Sequence, residues 1–227
     1  MPQNLNTQSY AIIVAGGSGS RMQSSVPKQF LLIGSEPVLM HTIWSFSKSQ
    51  YNPQIILVLP RDFHSYWQDL CGKYKFQIPH QIVNGGETRF HSVKNGLTLV
   101  AESSIVAIHD AVRPLTSVDI IDNAYNHANE HGNAVVAVKS RDSIRQLRNN
   151  KSTSLVRDEI YMVQTPQTFR SAQLKKAYEQ DYNAKFTDDA SVVEETGIAI
   201  NLVEGDYKNI KITFPEDIAI AELLLRQ

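Results

Sequence analysis

The sequence predicts an α/β protein with a mainly parallel sheet, flanking helices and a protruding β-arm. Three observations carry this. Short apolar, β-branched runs recur along the chain, helical patterns separate them, and one long polar stretch breaks the alternation. The chain has 227 residues, 42% of them hydrophobic, enough to bury one full core. No linker, repeat or low-complexity segment divides it, so a single domain over 1–227 is expected.

The strands come first. "YAIIVA" (10–15), "QIILVLP" (54–60), "SIVAIHD" (104–110) and "NAVVAV" (133–138) are too short for helices and nearly continuous in apolar character, as strands buried on both faces are. Helical patterns lie between them. "PVLMHTIWSF" follows the first glycine loop, and "TRFHSVKNGLTLV" follows "NGG". "SVDIIDNAYNHANEHG" opens on a Ser117 cap, closes at Gly132 and places Ile120, Ile121, Ala124, Tyr125 and Ala128 on one face. "NIKITFPEDIAIAELLL" reads as a strand followed by a helix, with Thr213 and Glu216 as a capping box and Pro215 in the first turn.

The alternation breaks after "NAVVAV". Within residues 139–169, "SIRQLRNNKSTSLV" reads as two short polar strands around an Asn-Asn turn, an arm at about 139–160 that projects from the sheet. Composition alone would equally allow a loose surface loop.

Bulk properties exclude several classes. A formal net charge of -1 gives no general affinity for nucleic acid or anionic lipid. No apolar run approaches the ~20 residues that span a bilayer, and the polar start "MPQNLNTQS" has no apolar signal core. Cys71 is the one cysteine, so no internal disulfide forms. A soluble, cytoplasmic protein is expected.

The chemistry gathers where strands end. "VAGGSGSRMQSSVPKQF" (14–30) sets Gly16, Gly17 and Gly19 beside Arg21 and Lys28, bare backbone N–H groups with two cations. A tight strand-to-helix turn would explain the glycines but not the cations, so a phosphate site is the stronger reading. Met22 replaces the third glycine of a dinucleotide fingerprint, and no Gly-Lys-Ser/Thr follows as in a Walker loop. "HDAVRP" puts Asp110 and Arg113 at the end of the 104–109 strand, where an acid serves a divalent cation, a ribose hydroxyl or a helix cap. "NGGETRFHS" adds a second glycine pair with Arg89 and Ser92, and "NIKIT" brings Lys211 to a strand end. Elsewhere the signals are weak. His127 and His131 have helical metal-ligand spacing without the Glu of a zinc-protease motif, and no Gly-x-Ser-x-Gly elbow or Cys-x-x-Cys pair exists.

"VAGGSGSRM", "PKQF", "HDAVRP", "QTPQTF", "FTDDAS" and "NIKIT", in that order from about Tyr10 to the C-terminus, resemble the 2-C-methyl-D-erythritol 4-phosphate cytidylyltransferases. The resemblance implies a Rossmann-like nucleotidyltransferase sheet and a Mg²⁺-dependent reaction. CTP and 2-C-methyl-D-erythritol 4-phosphate would give the CDP-alcohol and pyrophosphate, a step in making an isoprenoid precursor by the non-mevalonate route. It also implies roles. Ala15, Gly16 and Gly17 would lie along the nucleotide, and Arg21 and Lys28 would stabilise the transition state. Gly85, Gly86 and Glu87 would border cytosine, with Ser92 holding it and Arg89 supporting the loop. Asp110, with Ala111 and Arg113 beside it, would meet the ribose or the acceptor. Arg157 and Lys211 would position the acceptor phosphate, and Thr187 an acceptor hydroxyl. The resemblance assigns no residue to the metal.

The arm would interlock with that of a second subunit in a homodimer, so that Arg157 and the "RDS" segment, with Ser143 where many relatives have Thr, act on the neighbouring site. CDP-ribitol-forming enzymes resemble the chain as well, and the phosphate-binding Arg157 and Lys211 do not discriminate between the two phosphorylated polyols. A nucleotide-binding protein without catalysis is the remaining alternative.

Overall fold

The computed structural model describes residues 7–16 and 26–226. The chain opens with β1 (Ser9–Val14), a two-residue ribbon of β2 (Leu32–Ile33) and β3 (Glu36–Pro37), and α1 (Val38–Ser47). Then follow β4 (Gln54–Leu59), α2 (His64–Lys73), β5 (Gln81–Asn84), α3 (Arg89–Leu97), β6 (Ile105–Asp110), α4 (Val118–His131) and β7 (Asn133–Lys139). A hairpin of β8 (Arg145–Arg148) and β9 (Lys151–Ser154) precedes β10 (Tyr161–Arg170), α5 (Ser171–Ala177), α6 (Asp189–Glu194), β11 (Leu202–Glu204) and α7 (Glu216–Leu225).

Seven strands form the central sheet in the order β11-β7-β10-β6-β1-β4-β5. All neighbours are parallel except at β10, which runs antiparallel to both β6 and β7. Alternate side chains of β1 feed opposite faces, as the two-residue strand period requires. Ala11 and Ile13 join a core with α1, α2 and α4, whereas Tyr10 and Ile12 join one with α3, α5 and α6. A third cluster of Ile33, Val38, Val112, Ile212 and Ala221 seats α7 against the ribbon.

From β1 the chain builds outward to β4 and β5, then returns to place β6 on the other flank of β1. The crevice beyond the carboxyl ends of β1 and β6 is therefore the topological switch point, where open α/β sheets bind ligands. Val14 and Asp110 are register partners there.

The four expected strands, the Ser117 cap and the Gly132 stop all form. The Ser117 hydroxyl accepts the Ile120 N–H, and Gly132 takes φ 97°, which glycine adopts without strain. The arm is a separate two-stranded sheet turned by Asn149 and Asn150 at φ 48° and 59°, the left-handed pair of a tight hairpin.

Two expectations need correction, and two strands of the central sheet were not foreseen. "NIKIT" is not a strand: residues 209–213 run as a strap across the end of β6, and the late strand is β11. Thr213 and Glu216 form no capping box. Pro215 is the N-cap of α7, and the Asp217 carboxylate accepts the N–H groups of Thr213 and Phe214 in its place. The stretch after the arm is β10, a full partner in the sheet, and β5 was not expected at all.

Candidate active site

Each functional side chain is set by the local sequence around it. Pro27 (φ -57°) starts a 3-10 turn at Lys28–Phe30. Phe30 anchors this turn against Phe63 and Trp67, with ring centroids 5.7 and 6.3 Å away. The Gln29 amide donates to the Ala15 carbonyl at 3.0 Å, fixing the turn to the end of β1. Lys28 is thereby aimed into the crevice, where its Nζ donates to the Ile212 carbonyl at 2.9 Å.

Across the crevice, the loop between β5 and α3 folds tightly on itself. The Gly86 N–H donates to Ser92 Oγ at 3.0 Å. A Cβ on Gly86 would lie 2.8 Å from the His91 carbonyl carbon, so only glycine fits. Thr88 caps α3 through the His91 N–H.

Asp110 is the hub. It is 8% exposed, at the carboxyl end of the central strand β6. Lys211 Nζ lies 2.9 Å and Arg113 Nε 3.4 Å from its Oδ2, and Arg89 Nε lies 3.7 Å from Oδ1. Burial alone would raise its pKa; the charges of Arg89, Lys211 and Arg113 outweigh burial and hold the carboxyl well below the usual range. Arg89 in turn makes a two-pronged pair with the fully buried Asp189, at 2.9 and 2.6 Å. Tyr178 donates to the same carboxylate at 2.7 Å.

Behind Asp110, His109 is wholly buried, and burial pushes its pKa down to about 3, so the ring is neutral. Its Nε2 faces the Arg113 carbonyl at 3.3 Å, which can only accept, so Nε2 carries the proton. Nδ1 then accepts from Thr165 Oγ1 at 3.0 Å, and that hydroxyl accepts the Asp110 N–H at 3.1 Å.

Two cavities of about 250 Å³ each meet at this hub. The first is lined by Ala15, Gly16, Lys28, Gly86, Glu87, Ser92 and their neighbours. The second is lined by Arg113, Gln164, Thr165, Gln167, Thr187 and Asp188 with Val163. Arg89, Asp110 and Lys211 belong to both, forming a charged wall between the two spaces.

The structure thus gathers Ala15, Gly16, Lys28, Gly86, Glu87, Arg89, Ser92, Asp110, Arg113, Thr187 and Lys211. Gly85 sits one residue behind the lining, its N–H spent on the Leu59 carbonyl. Ala111 does not reach either cavity. It is fully buried, its N–H donates to the Val14 carbonyl, and its carbonyl accepts from Thr42. Ser143 and Arg157 are exposed beside the arm and line neither cavity of their own chain. Gly17 and Arg21 lie outside the described residues. Sequence reasoning missed Asp189, His109, Thr165 and Asn209, buried polar groups whose partners are remote in the chain.

Comparison with known proteins follows the same lines. Residues 9–227 match the family model described as IspD, 2-C-methyl-D-erythritol 4-phosphate cytidylyltransferase. The chain is 48% identical over 214 residues to the enzyme of that name from Bacteroides thetaiotaomicron, covering 94% of this chain and 98% of that one. Identity to the Geobacillus kaustophilus enzyme of the same name is 38% over 218 residues, covering 95% and 96%. Among solved structures, the 4-diphosphocytidyl-2C-methyl-D-erythritol synthase of Anaerococcus prevotii superposes with a TM-score of 0.84 at 30% identity, covering 97% of each chain. The Francisella tularensis 2-C-methyl-D-erythritol 4-phosphate cytidylyltransferase gives 0.79 at 32%, covering 96% and 99%. With its Rossmann-like sheet and its charged switch-point crevice, the chain belongs to the 2-C-methyl-D-erythritol 4-phosphate cytidylyltransferase family.

Proposed function

We propose that the chain transfers a cytidylyl group from CTP to 2-C-methyl-D-erythritol 4-phosphate, a step of isoprenoid precursor synthesis. One observation carries the reading: Arg89, Asp110 and Lys211 form a shared charged wall between two adjoining cavities. The cavity bearing Lys28, Gly16 and Ser92 takes CTP, and that bearing Thr187, Arg113 and Lys211 takes the acceptor.

A phosphate oxygen of the acceptor attacks the α-phosphorus of CTP. The new P–O bond forms as the bond to the β-phosphate oxygen breaks, and pyrophosphate leaves with the electron pair. The attacking phosphate is already ionised, so no general base is needed. Positioning and fixed positive charge are what the protein supplies. Lys28 and Lys211 both line the first cavity and Lys211 the second as well, so both can meet the reacting phosphates; Arg21, outside the described residues, is given the same role on the family resemblance alone. Asp110 keeps the neighbouring cations separated and oriented.

The donor set also fits a divalent cation held mostly by substrate. Among the described residues, Asp110 Oδ1 faces Arg89 at 3.7 Å, beyond hydrogen-bond reach, which leaves room for a metal at that oxygen. Mg²⁺ in phosphate-transfer sites commonly takes one or two carboxylates plus phosphate oxygens, and Asp110 would be the carboxylate here. Bound there, it would neutralise triphosphate charge.

The functional unit we propose is a homodimer. The arm stands clear of the sheet with Leu147 71% and Val156 62% exposed, and Arg157 lines neither of the two cavities at the hub. Pairing of arms would cover the apolar residues and deliver Arg157 and Ser143 to the neighbouring acceptor cavity. Among the described residues no helix is long and apolar enough to cross a membrane. A cytoplasmic setting accords with a nucleoside triphosphate substrate and an unpaired Cys71.

The test is pyrophosphate release with CTP and Mg²⁺, comparing 2-C-methyl-D-erythritol 4-phosphate with ribitol 5-phosphate. Turnover confined to the former is expected. Preference for ribitol 5-phosphate would keep the chemistry and replace the acceptor; CTP binding without release from either would leave a nucleotide-binding protein.

A further inference from the structure

Lys211 stands on no helix or strand, yet its Nζ is held 2.9 Å from Asp110 with a side chain 43% exposed. An irregular strap must therefore be rigid for another reason. At one end, the Ile212 N–H donates to the Val112 carbonyl at 2.9 Å, and the Ile212 carbonyl accepts from Lys28. At the other end stands Asn209, fully buried and two residues from Lys211.

Asn209 uses nearly every polar atom it has. Its Nδ2 donates to the Thr165 carbonyl at 2.9 Å and to Gln164 Oε1 at 3.3 Å, both on β10. Its Oδ1 accepts from Thr116 Oγ1 at 2.8 Å, in the loop after β6. Its backbone carbonyl accepts from Arg113 Nη1 at 2.7 Å. One side chain thus ties the strap to two other elements of the acceptor cavity, and its carbonyl orients one of the cavity's arginines. Among the common side chains, a carboxamide of this length offers two donors and an acceptor without charge. Aspartate would lose the donors and bury a charge, and alanine would take from the Thr165 carbonyl its Asn209 donor and leave the Thr116 hydroxyl with its longer contact to the Arg113 carbonyl at 3.2 Å.

We infer that Asn209 is a positioning residue for the acceptor: it touches no reacting atom but fixes Lys211 and Arg113 where the acceptor phosphate must sit. The inference rests on the assignment of that cavity to the acceptor. A loosened Lys211 would bind the acceptor phosphate less well and orient it poorly, while the CTP cavity, built mainly from β1, the 27–30 turn and the α3 loop, would keep its shape.

The experiment is a double-mutant cycle on the full chain, followed by pyrophosphate release with CTP, Mg²⁺ and 2-C-methyl-D-erythritol 4-phosphate. Asn209→Ala is expected to lower kcat/KM for the acceptor by roughly tenfold to a hundredfold, as ångström-scale misplacement does, with the KM for CTP changed less than about threefold. In a Lys211→Ala background the same substitution should cost much less, because the lysine positioned by the side chain is gone while the backbone carbonyl that holds Arg113 is kept by alanine. Full, additive losses in that background would overturn the inference while leaving the acceptor site intact. Undiminished turnover by Lys211→Ala alone would overturn the site assignment, and the inference with it. Thr116→Val, which removes one hydroxyl at nearly constant volume, replaces Asn209→Ala in the cycle if the latter does not fold. Thr116→Ser, which keeps the hydroxyl, should then restore most of the lost acceptor affinity.

Discussion

Lys211 Nζ and Asp110 Oδ2 lie 2.9 Å apart although the residues are 101 positions distant in the chain, and this pair closes the wall between the two cavities. Asp110 also faces Arg89 and Arg113, so three cations converge on one carboxylate, and Arg89 has a second in Asp189. Removing that charge would set the three against one another. Asp110→Asn should lower turnover by more than about a hundredfold and destabilise the fold by about 3 kcal/mol, the usual result of breaking a buried ionic group on one side. Steady-state kinetics and a urea midpoint measure the two losses independently.

Arg89 is expected to be intolerant even of lysine. Its two-pronged pair with Asp189 leaves a fully buried carboxylate that a single ammonium cannot satisfy at both oxygens. Arg89→Lys should cost about 1–3 kcal/mol of stability, and Arg89→Met about 3–5 kcal/mol, read from denaturant unfolding at neutral pH.

The buried His109 makes the protein acid-sensitive in a defined window. Its folded-state pKa, near 3, lies below the ordinary 6.5, so between those values the unfolded chain binds a proton that the folded chain refuses. Stability contributed by the neutral ring is present above pH 6.5 and declines as pH falls toward 3, by about 1.4 kcal/mol per pH unit at the steepest. Asp110, whose folded pKa is also depressed, adds its own loss only below about pH 4. Unfolding free energies from pH 7 to 4.5 should show the slope in the native chain. A His109→Asn variant should be flatter; equal slopes in both would remove His109 as the cause.

Arg157 provides a test of the dimeric site. If it serves the neighbouring subunit, Arg157→Ala and Lys211→Ala are each nearly inactive alone. A heterodimer of the two nevertheless contains one site with both residues intact. Random mixing should then restore about a quarter of native activity, from half the dimers each bearing one good site of two. Mixtures as inactive as their components would place Arg157 in its own chain's site or outside any site.

Lys28 and Arg21 should act mainly in the transition state. Substitution of either by Ala is expected to depress kcat far more than it weakens CTP binding, since an interaction that strengthens as charge develops is lost from the rate and not from the ground state. Comparing kcat with a CTP dissociation constant for each variant decides this.

Much of this architecture was legible in the residues. Strands such as "QIILVLP" advertise themselves because both their faces are apolar, and "NN" in a polar run marks a hairpin by its tolerance of positive φ. β10 stayed hidden for the opposite reason: its buried residues include Gln164, Thr165, Gln167 and Thr168, so burial there is polar and leaves no hydrophobic period to detect. β5 was missed because, at the sheet's edge, its four residues are only half-buried or exposed. In the site, glycines and cations at strand ends pointed to a phosphate ligand, but the partners that organise them did not announce themselves. Arg89 and Asp189 are 100 residues apart, and nothing local to either predicts the pairing. The correction at "NIKIT" has the same root. Ile210 and Ile212 look like one face of a strand, yet only Ile212 is fully buried, and it packs with α7 and Val112 instead of pairing in a sheet.

The hydrogen bond from Lys28 to the Ile212 carbonyl joins residues 184 positions apart. During synthesis, the glycine loop and its lysine leave the ribosome long before the strap that receives them. A nascent chain that ends just short of residue 209 would hold all seven strands of the sheet but only two of the three residues of the charged wall, without the strap that closes the acceptor side. The acceptor side of the crevice can therefore be completed only once residue 212 has been made.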